Sequence, residues 1–80
     1  MQEEIASQIV EIIAERLGKE PTEIELSHSF RDDLKTDSLT MAELTLAFED
    51  ALDLEPIPDE KAESIKTVQD AVDYVVKVKV

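Results

Sequence analysis

The chain has 80 residues, of which 42% are hydrophobic but only 4% aromatic, with one glycine and no cysteine. A single domain spanning 1–80 is expected, burying roughly two-thirds of its unfolded surface and packed by Ile, Leu and Val; disulfides, thiolate metal sites and a Gly-rich phosphate loop are excluded. Twenty acidic residues against eight basic ones give a net charge of −12, which disfavours nucleic acid and anionic lipid and favours partners with basic patches.

The opening Met1-Gln2-Glu3-Glu4 lacks the basic segment and apolar run of a signal peptide. No stretch approaches the ~18 consecutive apolar residues of a membrane span. The absence of cysteine fits a reducing compartment, and a cytoplasmic location with no membrane insertion is expected.

Ile5, Ile9, Ile12, Ile13 and Leu17 recur at helical spacing, and Gly18 follows as a stop, so a first helix is expected over 3–17. The period breaks from Lys19 to Thr36. Pro21, Ser27, His28 and Ser29 mark a long loop there, pinned by Ile24, Leu26, Phe30 and Leu34. So long a loop in so small a domain is unusual and often functional. A second helix is expected over 38–52. Pro56 and Pro58 then break the chain, and Pro58 stands near the start of a short helix running to Glu63. Thr67 caps a last helix carrying Val68, Ala71, Val72, Val75 and Val76, with 75–80 expected as helix fraying into a tail.

On a wheel of ~100° per residue the second helix has two faces. Met41, Leu44, Phe48, Ala51 and Leu52 form the expected core face. Leu39, Ala42, Glu43, Leu46, Glu49, Asp50 and Asp53 form a second stripe, apolar and acidic together, and no Lys or Arg occurs between Lys35 and Lys61. A solvated face would carry both signs. An exposed apolar and acidic ridge is a docking surface for a basic partner.

The ridge follows Thr36-Asp37-Ser38-Leu39. A serine there is a helix cap, a nucleophile or an attachment point. Asp37 is the better cap, which places Ser38 in the first turn with its hydroxyl toward solvent. A nucleophile needs a base and an oxyanion site, and His28, the only histidine, stands in a chain too small to build a cleft around it. Attachment fits the physics best, because a phosphodiester on Ser38 lies where the helix dipole and unpaired N–H groups favour negative charge. The crowd of Asp50, Asp53 and Glu55 lacks the spacing and central glycine of a calcium loop, so no metal site is expected.

From Phe30 to Tyr74, with Asp37-Ser38-Leu39, Ile57-Pro58-Asp59-Glu60 and Ile65-Lys66-Thr67-Val68, the chain resembles the acyl carrier proteins. The resemblance implies an all-α fold: a small four-helix bundle with three main helices, one short helix and a long loop between helices one and two. It implies that Ser38 carries 4′-phosphopantetheine from coenzyme A, with Asp37 and Leu39 completing the motif, and that the terminal thiol of the arm holds acyl groups as thioesters. The chain would be a monomeric carrier rather than an enzyme. Its implied partners are a Mg²⁺-dependent phosphopantetheinyl transferase and acyl-handling enzymes of fatty acid or polyketide biosynthesis, met through Glu43, Leu46, Glu49, Asp50 and Asp53. The pattern is broken in places: Lys35 stands where the family usually has Gly, Thr40 where many fatty-acid carriers have an acid, and Leu54-Glu55-Pro56-Ile57-Pro58 is one residue longer than usual. The other reading is a cofactor-free acidic module that binds a basic partner.

Overall fold

The structure, a computed structural model, describes residues 2–79. Helix α1 spans Gln2–Leu17, α2 spans Ser38–Ala51, the short α3 spans Asp59–Ser64 and α4 spans Val68–Lys79. Among the described residues there is no β-strand, only an isolated antiparallel bridge between Ser29 and Thr67.

The apolar stripe of α1 drives the assembly. Ile9, Ile13 and Ala14 are buried, with Ile5, Ile12 and Leu17 packed at the rim of the core. This face meets α4, through buried Val68, Ala71, Val72 and Val75, and α2, through Leu44 and Phe48. Phe48 is fully enclosed, so truncation to Ala would cost about 3–5 kcal/mol.

Helix α1 stops where expected. Gly18 adopts φ +68°, the Lys19 N–H donates to the Ala14 carbonyl at 2.8 Å, and the Gly18 N–H turns back to Glu15 at 3.4 Å. This is the glycine-terminated ending in which a left-handed residue lets the chain satisfy the last carbonyls. The start of α4 is closed reciprocally: the Asp70 N–H donates to the Thr67 hydroxyl, and the Asp70 carboxylate accepts the N–H groups of Lys66 and Thr67.

The structure corrects the expected pattern in four places. Residues Pro21–Glu23 of the long linker form a 3₁₀ turn, closed by the Glu20 N–H donating to the Glu23 carboxylate at 2.7 Å. Leu26 was expected as an anchor, but its side chain is exposed; its backbone carbonyl does the anchoring instead, accepting the Gln69 N–H at 2.8 Å. Ala51 is exposed, because it ends α2 at the edge of the buried arc and is too short to reach across it. Residues 76–79 hold the α4 helix rather than fraying, and the tail expected at Val80 lies outside the described residues.

Ile24, Phe30 and Leu34 do pin the linker to the core. Its backbone is also fastened to the α3–α4 junction, with the Phe30 N–H donating to the Lys66 carbonyl at 3.0 Å and the Val68 N–H to the His28 carbonyl at 3.1 Å. No helix among the described residues is long and apolar enough to cross a membrane.

Candidate functional site

The site begins where the linker delivers the chain to α2. Thr36 is the one buried polar residue there, and both its hydroxyl and its N–H donate to the Phe30 carbonyl at 2.8 Å. Lys35, just before it, is forced into left-handed backbone with φ +57°. Asp37 is extended and caps the helix: its carboxylate accepts the Thr40 N–H at 2.8 Å, while its carbonyl accepts that of Met41 at 2.9 Å. The Thr40 backbone N–H, then the Thr40 hydroxyl, hold the Asp37 carboxyl below the ordinary aspartate range.

Ser38 is therefore the first helical residue, exposed, directly after the Asp37 cap. Leu39 beside it is 70% exposed, so the rim of the site is apolar without being packed. Of the remaining ridge, Glu43, Asp50 and Asp53 are exposed and Leu46 is 63% exposed. Ser38 and Leu46 are eight residues apart on one helix, about 12 Å along its axis. At the far end Leu46, Ala47, Glu49, Asp50 and Asp53 line an open concavity with Arg16 of α1. The expected docking residues thus divide into a serine end, with Leu39 and Glu43, and a concave end.

Glu49 departs from the pattern of a solvated ridge. It is half-buried, and its carboxylate accepts the Ile57 N–H at 2.8 Å. Arg16, on another helix, carries no sequence signal that it borders the acidic end. Among the described residues no group of His, Cys, Asp and Glu is gathered as a metal site. His28 is engaged locally: its Nδ1 accepts the Glu25 N–H at 3.1 Å and its Nε2 lies 3.5 Å from the Glu25 carboxylate.

An exposed hydroxyl on the first residue of a capped helix suits a covalent phosphodiester. Ser38 is open to solvent, so no cavity would have to be opened, and the positive end of the helix dipole would favour the added negative charge. The chain matches the phosphopantetheine attachment site family over residues 7–75. It therefore belongs to the carriers built to bear that arm. It is 52% identical over 75 residues to an acyl carrier protein of Rubrobacter xylanophilus, covering 94% of this chain and 91% of that protein. It also superposes on an acyl carrier protein from Enterococcus faecalis with a TM-score of 0.78 and 36% identity, over 96% of both chains. The chain belongs to the acyl carrier protein family: a carrier, not an enzyme, with 4′-phosphopantetheine as its covalent cofactor. The cofactor-free reading is set aside on that ground. The arm supplies a thiol that holds acyl groups as thioesters, which a chain without cysteine has no group of its own to do.

Proposed function

We propose that Ser38 is the residue that takes the arm, and that the chain serves as a monomeric, one-domain cytoplasmic carrier of acyl intermediates in fatty acid or related polyketide biosynthesis. The observation that carries the assignment is the exposed Ser38 at the head of α2, set between the Asp37 cap and the exposed Leu39. In loading, the Ser38 Oγ forms the new P–O bond and loses its proton to the transferase. The diphosphate bond of coenzyme A breaks, and adenosine 3′,5′-bisphosphate leaves. The chain's own part is to present the hydroxyl and to hold the helix end still.

The acidic surface supports docking of basic enzymes at Glu43, Leu46, Asp50 and Asp53, with Glu49 between them. Such steering acts chiefly on the association rate. Intact mass after incubation with coenzyme A, Mg²⁺ and a phosphopantetheinyl transferase tests the assignment. Wild type is expected to gain one phosphopantetheinyl group, and Ser38→Ala none while keeping its helical spectrum. Loading of Ser38→Ala, or of Ser27 or Ser29, overturns it.

A further inference from the structure

Helix α3 has little holding it to the rest of the molecule. It contains no buried residue, and Pro58 before it makes no side-chain cap bond. Its attachment comes from buried Ile57 on one side and buried Ile65 on the other. The chain leaves α2 toward Ile57 by a turn in which Asp53 lies in left-handed backbone with φ +54°, a conformation that aspartate tolerates. Pro56 and Pro58 have no N–H, so Ile57 supplies the only amide hydrogen of residues 56–58.

That one N–H donates to the Glu49 carboxylate at 2.8 Å. The Glu49 carbonyl also accepts the Leu54 N–H at 2.9 Å. One residue of α2 thus holds both ends of the 54–57 stretch, by its backbone at one end and its side chain at the other. Of the two, the side-chain bond is the one that a competing cation can take over, because its acceptor is a charged carboxylate rather than a neutral carbonyl. That carboxylate is on the border of an open concavity, where Glu49, Asp50 and Asp53 outnumber the chain's own Arg16 and the acidic excess would draw a cation from another protein.

We propose that the Glu49 carboxylate is a latch on the loop before α3, and that a Lys or Arg of a docking enzyme takes it over, so that docking frees residues 53–58 and α3. A carboxylate bonds an ammonium or guanidinium more strongly than a neutral amide, which sets the direction of the exchange. The inference rests on the docking face proposed above. It adds that binding loosens one side of the bundle, and by linkage that a carrier already unlatched binds its partner more readily.

Two substitutions separate the latch from the charge. Glu49→Gln keeps an oxygen that can accept the Ile57 N–H but removes the attraction for a cation. Glu49→Asp keeps the charge but is one methylene too short to hold Ile57 from its present backbone position. The probe is a purified phosphopantetheinyl transferase without coenzyme A, with amide chemical shifts and ¹⁵N relaxation followed over 53–64. In the free protein, Glu49→Asp is expected to move the Ile57 amide proton upfield and raise fast motion in 53–64, while Glu49→Gln stays near wild type. On titration, wild type is expected to come to resemble free Glu49→Asp. Glu49→Gln is expected to bind about two- to fivefold more weakly, and Glu49→Asp at least as tightly as wild type. An unmoved loop in free Glu49→Asp overturns the latch, and binding that leaves the Ile57 shift and the loop dynamics of wild type unchanged overturns the coupling. Failure of wild type to bind at all overturns the docking face itself.

Discussion

Thr36 grips Phe30 twice at a single atom: hydroxyl and backbone N–H both reach the Phe30 carbonyl at 2.8 Å. Phe30 is buried and bonded in turn to Lys66, so the residue two before Ser38 is tied to the core and to the start of α4. Thr36→Val keeps the shape and the backbone bond but loses the hydroxyl. The Phe30 carbonyl stays satisfied, so the expected loss is about 1 kcal/mol rather than the larger penalty of an orphaned group. Urea denaturation measures it, with exposed Ser38→Ala as the reference substitution. Equal midpoints for the two variants would show that the hydroxyl holds nothing.

Lys35 occupies backbone that a side chain resists. Left-handed conformation costs a residue with a Cβ roughly 1–2 kcal/mol, against which Gly loses more entropy on folding. Lys35→Gly is expected to stabilise the fold by about 0.5–1 kcal/mol net. Lys35→Ala, which retains the Cβ, is expected to give no such gain. A melting temperature that drops in the Gly variant would mean that the lysine side chain contributes more than its backbone costs.

The Asp37 cap titrates in a defined direction. Its native carboxyl is held low by the Thr40 N–H and hydroxyl, so the unfolded chain takes up this proton more readily than the folded one. The stabilisation is therefore complete above the unfolded value of about 4, and it disappears as pH falls through the lowered native value. Asp37→Asn caps without titrating. The stability advantage of wild type over Asp37→Asn is expected to shrink between about pH 5 and pH 3 in thermal melts. Parallel curves for the two proteins would refute the assignment.

Charge reversal separates a docking face from a mere excess of negative charge. Glu43→Lys and Asp50→Lys, on the exposed face of α2, are expected to slow loading by a phosphopantetheinyl transferase, mostly through weaker association. Glu3→Lys and Glu4→Lys, in the first turn of α1, change net charge equally and are expected to do much less. The α2 defect is expected to narrow as the screening length shortens from about 10 Å at 0.1 M salt to about 3 Å at 1 M. Equal slowing at both helices would leave net charge as the whole cause.

The parts of the fold that obey local rules were legible in the residues. The Ile stripe marked α1, Gly18 its end, Asp37 and Thr67 the caps of α2 and α4, and each of these acts within four residues of itself. What escaped notice acts at longer range through the backbone. The bonds from Phe30 to Lys66 and from Val68 to His28 use main-chain groups that every residue has, so no side chain announces them. Glu49 fitted the acidic stripe by position, and nothing in that pattern distinguishes a solvated carboxylate from one that accepts the Ile57 N–H eight residues on. Lys35 was visible as a departure from the family pattern, and the left-handed backbone gives that departure its physical meaning.

The bridge from Ser29 to Thr67 joins residues 38 positions apart, counting 67 − 29. During synthesis the linker, Asp37 and Ser38 all leave the ribosome well before the Lys66 carbonyl and the Val68 N–H that fasten Phe30 and His28. The linker of a nascent chain therefore stays undocked until the last helix has begun to emerge. The order in which the molecule can become rigid is set by the order in which it is made: the cap of the serine's helix closes locally, while the linker ahead of it waits for residues made some forty positions later.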